Sequence, residues 1–198
     1  MLYSLRKKSE KILFWAAMAV NFSFVTPNRL SLLSIPFAIL SAFFLSHSDF
    51  AFGFVFALFS FFLDALDGAL AKLRKKQTVF GNYLDAVSDR IVEAFIFFGL
   101  AFSFPFESAF AYALSFLASH SKALFGTIKI TDNRDWKGIG GRPERLLLLL
   151  SGMIAAVFFP QIFSIQTMQL FLILIIIICF IGNIQRIFFA KKMFGEKE

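Results

Sequence analysis

Residues 64–89 read DALDGALAKLRKKQTVFGNYLDAVSD and hold the densest carboxylate cluster in an otherwise oily chain. Asp64 and Asp67 are three apart and Asp85 and Asp89 four apart, so each pair shares one face of a helix. Between them Lys72, Arg74, Lys75, Lys76, Gln77 and Thr78 mark a turn in water. With the turn centred near Lys76, Asp67 lies nine residues before it and Asp85 nine after, Asp64 twelve before and Asp89 thirteen after. In a hairpin of two helices rising ~1.5 Å per residue these pairs sit at matching depths, and four carboxylates can converge.

The flanks make such a cluster costly on its own. Phe50 to Leu63 and Ala94 to Phe104 contain no Lys or Arg. An acid in mid-membrane costs roughly 2.5–3.5 kcal/mol, and neighbouring acids repel. A divalent ion removes both penalties. Oxygen ligands with no Cys or His in the stretch favour Mg2+, Mn2+ or Ca2+ over Zn2+. The competing reading is a set of helix-end acids paired with Lys72, Arg74 and Arg90.

Composition agrees with a membrane setting. The chain has 198 residues, 58% of them apolar, including 31 Phe, and a mean hydropathy of +0.73. Its expected fold class is an all-α integral membrane protein with six transmembrane helices, preceded by an interfacial amphipathic helix. Residues 1–25 form the juxtamembrane helix and 26–198 the catalytic bundle in this reading. Cys179, the only cysteine, lies in an apolar run and reads as a small core residue.

The opening LRKKSEKILFWAAMAV at 5–20 has a basic head, but its apolar run before Ala17-Met18-Ala19 is shorter than the ~7–15 residues of a signal core. An interfacial helix anchored by Trp15 fits better. Thr26-Pro27-Asn28 opens the first span, with Pro where a missing N–H is harmless. Apolar segments follow at about 30–46, 51–71, 80–104, 107–127, 146–163 and 167–190, each near the ~20 residues a span needs. Asp85, Asp89 and Glu93 share one face of the third, which therefore turns a polar stripe inward.

All 20 Lys and Arg lie in the N-terminal arm, around 72–76 and 122–145, from Arg186 onward, or at nearby helix ends (Arg29, Arg90). The connections Ser46–Phe50, Ser103–Ser108 and Pro160–Gln166 have none. The basic side is expected to be cytoplasmic, placing both termini and the carboxylates there, in the cell (inner) membrane. These placements account for the net charge of +7 without nucleic acid, since no basic run interleaves with stacking aromatics. The glycines at 138, 140 and 141 form no Walker pattern.

The motif Asp64, Asp67, Gly68, Ala71, then Gly81, Asp85 and Asp89 resembles the signature D-x2-D-G-x2-A-R-x8-G-x3-D-x3-D of the CDP-alcohol phosphotransferases. Seven of eight fixed positions match; Lys72 replaces the usual Arg, keeping charge but losing the planar fork. The resemblance implies cleavage of a CDP-linked lipid (CDP-diacylglycerol or CDP-archaeol), transfer of its lipid phosphate to an alcohol, and release of CMP. It implies two divalent cations, Mg2+ or Mn2+, on Asp64, Asp67, Asp85 and Asp89, with Asp89 also the catalytic base. Pro27, Asn28 and Ser31, with Asp67, Gly68, Ala71, Lys72 and Gly81, would meet the nucleotide. A homodimer is also implied, for which the aromatic third and fourth spans supply a surface.

Lys122, Arg142, Arg145 and Arg186 are candidates for a pocket binding the acceptor's phosphate. Gly141-Arg142-Pro143-Glu144-Arg145 and Gln185-Arg186 are similar to segments of prokaryotic phosphatidylinositol-phosphate and archaeal archaetidylinositol-phosphate synthases. That implies a phosphorylated polyol, myo-inositol 1-phosphate, as acceptor; glycerol 3-phosphate or serine are the alternatives. A divalent-cation channel or carrier is the rival class, but it needs a polar path to the outer face. The outer halves of the second and third spans offer only Gly53, Ser60 and Gly99.

Overall fold

The computed structural model describes residues 13–22, 25–128 and 138–194 of the chain. The basic arm before residue 13 and most of the 128–141 loop lie outside the described residues. Helical residues 13–19 (α1) precede α2 (Pro27–Ser46), α3 (Phe50–Leu73), α4 (Val79–Ala101), α5 (Pro105–Ile128), α6 (Arg142–Phe158) and α7 (Thr167–Phe194). A two-residue hairpin, β1 (Gln161–Ile162) with β2 (Ile165–Gln166), joins α6 to α7.

Local chemistry sets these boundaries. Thr26 caps α2 by accepting from the Arg29 N–H at 3.4 Å, with Pro27 in the first turn. Asp49 caps α3, its Oδ1 accepting from Phe52 N at 3.1 Å. Thr78 caps α4 through the Gly81 N–H at 2.9 Å. The apolar stretch 146–163 does not stay helical throughout. The helix stops at Phe158, because Pro160 has no N–H to continue it, and Phe163 and Ser164 turn the hairpin at positive φ. Among the described residues, three helices are long and apolar enough to cross a bilayer by length and composition: Pro27–Ser46, Phe50–Leu73 and Thr167–Lys192. α4 interrupts its apolar run with Asp85, Asp89, Arg90 and Glu93, and α6 has 17 residues.

The long helices pack in the cyclic order α2–α3–α6–α7–α5–α4, returning to α2. α2 therefore backs both α3 and α4, which touch each other at few points. The α2–α4 approach is close: a Cβ added at Gly99 would lie 2.6 Å from the backbone of Ala42. Many of the phenylalanines stack along α2 and α3, as Phe44 does with Phe52 and Phe56 at centroid distances of 5.1 and 5.3 Å. The core runs through Leu45, Phe61, Ile96, Leu100, Met153, Leu172 and Ile175, and Cys179 is buried among them as expected. Phe43, Phe59, Phe98, Phe110, Leu147, Phe180 and Phe188 face outward, leaving an apolar exterior suited to lipid.

α1 covers the end of the bundle nearest the 74–78 turn. Its Ala17 is buried with Leu30, Leu66 and Leu70, while Trp15 is 68% exposed. Arg74 ties the following segment to that turn, donating to Asn21 Oδ1 at 2.7 Å, Val25 O at 2.6 Å and Phe22 O at 2.7 Å.

Candidate active site

The α3–α4 turn is centred as the spacing predicts, with Arg74 closing α3, Lys75 at φ 52° and Thr78 opening α4. Asp64 and Asp67 are buried on α3, and Asp85 and Asp89 are half-buried on α4. Asp64, Asp67 and Asp85 each offer an oxygen within 4.8 Å of the others. Asp67 is steadied from a third element: the Ser31 hydroxyl on α2 donates to its Oδ2. Asp64 Oδ1 is buried without a hydrogen-bond partner. Such an oxygen is costly to keep unless something else coordinates it. Three hard carboxylates and an orphaned oxygen suit a divalent cation with oxygen coordination.

Asp89 meets this group at Asp64, side chain to side chain, and the two also share a cation. Arg142 Nη2, at the start of α6, lies 2.7 Å from Asp64 Oδ2 and 2.5 Å from Asp89 Oδ1. So α3 and α4 bring three acids within ion-binding distance of one another, and the fourth, Asp89, lies in hydrogen-bond reach of Asp64 and shares its guanidinium.

Beside the acids lies a cleft of about 280 Å3. All eight residues expected to meet the nucleotide line it: Pro27, Asn28 and Ser31 from α2; Asp67, Gly68, Ala71 and Lys72 from α3; and Gly81 from α4. Lys76, Gln77, Thr78, Asn82 and Asp85 complete its wall. A Cβ added at Gly68 would meet no atom within 4 Å. It would project into the space where a ligand can lie against the helix backbone. Lys72, in place of an arginine, also lines the cleft.

The residues expected to bind the acceptor's phosphate have divided partners. Arg145, 2% exposed, donates from Nη2 to both carboxylate oxygens of Glu93 at 2.9 and 3.1 Å and to Ser119 Oγ at 3.1 Å. Its Nη1 donates to Gly140 O at 3.0 Å. Arg142 is committed to Asp64 and Asp89, as above. Both are paired with acids on α3 and α4, and each keeps its Nε without a hydrogen-bond partner. Arg186 leaves more of its guanidinium unpartnered: it is 5% exposed, donates from Nη2 to Ile139 O at 3.1 Å, and keeps both Nε and Nη1 without hydrogen-bond partners. The Lys122 side chain lies outside the described residues.

Glu93 and Ser119 belong to this network and were not anticipated in it. Glu93 had one usable signal, its place four residues beyond Asp89 on the polar face of α4. Ser119 had none, since a serine in an apolar helix most often bonds its own backbone.

A family model described as CDP-alcohol phosphatidyltransferase matches residues 24–194. The archaetidylinositol phosphate synthase of Pyrococcus horikoshii is 32% identical over 178 residues, covering 85% of each chain. The phosphatidylinositol phosphate synthase of Mycobacteroides abscessus is 33% identical over 103 residues, 49% of this chain and 46% of that protein. Among solved structures, the Mycobacterium tuberculosis phosphatidylinositol phosphate synthase with CDP-DAG bound superposes with a TM-score of 0.77 at 24% identity. That match covers 91% of this chain and 94% of the other. The same enzyme in complex with manganese and citrate gives 0.75 at 24% identity, over 89% and 87%.

Proposed function

The chain belongs to the CDP-alcohol phosphatidyltransferase family, and from that premise we propose that it makes a phosphatidylinositol-phosphate-type lipid at the cytoplasmic face of a membrane. It is a multi-pass membrane transferase. The proposed donor is a CDP-linked lipid and the proposed acceptor myo-inositol 1-phosphate. The observation that carries this reading is the shared wall: Asp67 and Asp85 belong at once to the carboxylate group and to the cleft lined by the eight nucleotide residues. A nucleotide diphosphate in that cleft would lie against the acids.

In this reading Asp64, Asp67, Asp85 and Asp89 hold two divalent cations, Mg2+ or Mn2+, which supply the positive charge that a diphosphate and its leaving group need. Pro27, Asn28, Gly68, Ala71 and Gly81 receive the cytidine and leave room for close backbone approach. Lys72 neutralises part of the diphosphate charge. The acceptor hydroxyl attacks the phosphorus bearing the lipid, the bond from that phosphorus to the bridging oxygen breaks, and CMP departs with the oxygen. Asp89 takes the hydroxyl proton. Arg186, whose buried Nε and Nη1 lack partners, supplies donors for the acceptor's own phosphate.

Relatives named for inositol phosphate lipids favour that acceptor over glycerol 3-phosphate or serine. The basic ends of the helices favour a cytoplasmic site, and the exposed Trp15 beside buried Ala17 favours an interfacial α1. The test is CMP release by the purified protein in Mg2+ or Mn2+ with CDP-diacylglycerol or CDP-archaeol and four acceptors: inositol 1-phosphate, glycerol 3-phosphate, inositol and serine. Turnover is expected with inositol 1-phosphate. A preference for an acceptor without phosphate would overturn the acceptor assignment.

A further inference from the structure

Glu93 lies one helical turn beyond Asp89 and occupies no position of the family motif. It is buried, and Arg145 binds both of its oxygens. Arg145 in turn grips the Gly140 carbonyl, so the pair also anchors the backbone just before α6. Gly140 is itself pinned: its φ is +74° and an added Cβ would sit 3.0 Å from Ile178 O. Two residues further on, Arg142 begins α6 with its guanidinium between two acidic stations. One is the Asp64–Asp89 pair at 2.7 and 2.5 Å; the other is Glu93 Oε1, 3.7 Å from Arg142 Nε. That Nε has no hydrogen-bond partner, leaving a donor available for the second station.

We propose that Glu93 is a positioning residue that acts through Arg142, drawing its guanidinium toward itself and thereby setting how strongly Arg142 competes with a divalent cation for Asp64 and Asp89. The inference rests on those aspartates being cation ligands. A guanidinium and a divalent ion both draw on the carboxylates of Asp64 and Asp89, and like charges cannot share them cheaply. A cation therefore enters as Arg142 withdraws. Withdrawal into apolar surroundings would strand a buried charge, whereas Glu93 receives it nearby at little cost. Glu93 Oε1 keeps a second contact while Arg145 holds the carboxylate in place.

The experiment titrates Mn2+ alone into purified full-length protein in detergent micelles, followed by calorimetry. Removing the competitor with Arg142→Gln should tighten Mn2+ binding roughly tenfold, the equivalent of one charged hydrogen bond. Removing its alternative station with Glu93→Gln should weaken binding by a similar factor. The double variant Glu93→Gln/Arg142→Gln should bind like Arg142→Gln, because Glu93 acts through the arginine. If the double variant is instead weaker than Arg142→Gln by the full Glu93→Gln factor, Glu93 works by its own charge and the proposal fails. Equal affinity in wild type and Arg142→Gln also overturns it. Glu93→Asp, which keeps the charge but draws it back, should fall between wild type and Glu93→Gln, and decides the matter if Glu93→Gln unfolds. Wild-type protein that binds no Mn2+, or Asp64→Asn that binds it normally, would instead remove the cation assignment beneath the proposal.

Discussion

The Ser31 hydroxyl of α2 donates to Oδ2 of Asp67 on α3, while the Pro27 carbonyl, 3.3 Å from the same hydroxyl, is its weaker competing acceptor. Ser31 therefore lines the cleft and also orients a carboxylate that faces it. Partners of this kind typically change metal affinity or activity about 10–100-fold when removed. Ser31→Ala should raise the Mn2+ concentration for half-maximal CMP release within that range. Ser31→Thr keeps the hydroxyl and should stay near wild type. Equal Mn2+ dependence in all three proteins would leave Ser31 as a packing residue only.

Gly68 offers a second separation of effects. A side chain there has open space to enter, so Gly68→Leu should obstruct the nucleotide without disturbing the bundle. Leucine is also a better helix former than glycine, which is about 0.8–1.0 kcal/mol poorer than alanine at the top of the scale, so the variant should melt at or above the wild-type temperature. The expected signature is a raised KM for CDP-lipid with unchanged Mn2+ binding. A normal KM would move the nucleotide out of this cleft.

The four aspartates should each be needed for turnover. Asp64→Asn, Asp67→Asn, Asp85→Asn and Asp89→Asn are each expected to lower CMP release by about 10²–10³-fold or more, in line with the loss of one preorganised electrostatic group. Melting curves should stay close to wild type, because amides of the same size relieve acid–acid repulsion. Asp89→Asn should leave Mn2+ binding the least affected of the four, since Asp89 lies outside the group of three whose oxygens are all within 4.8 Å of one another. Robust turnover by any of these variants would remove that residue from the chemistry.

What could be read from residues 64–89 was local. Helix rise and a turn near Lys76 suffice to bring Asp64, Asp67 and Asp85 together, and the family resemblance implied that Pro27, Gly68 and Gly81 surround one nucleotide. The partners of Arg142 and Arg145 were not legible. Arg142 meets Asp64 from 78 residues away and Arg145 meets Glu93 from 52, distances over which no periodicity carries information. A cation at a helix mouth reads equally well as a phosphate ligand or as the counter-ion of a buried acid; only packing separates the two. The early end of α6 at Phe158 was signalled by Pro160, which a run of hydropathy overlooks.

The Glu93–Arg145 pair makes a final prediction about stability. Both side chains are buried, and Arg145 also holds Ser119 and the Gly140 carbonyl, so the pair links α4, α5 and the start of α6. Arg145→Met would leave the buried Glu93 carboxylate with only the longer contact to Arg142 Nε at 3.7 Å, so the loss should approach the about 3–5 kcal/mol of a broken buried pair without reaching its upper end. The variant should melt well below wild type in detergent. Adding Glu93→Gln to it should restore much of the loss, because a neutral amide removes the stranded charge even though the anchor on Gly140 is still missing. If Arg145→Met melts like wild type, the pair contributes little to holding α6 in place. If the second substitution restores nothing, the damage comes from the lost Gly140 and Ser119 contacts rather than from the charge.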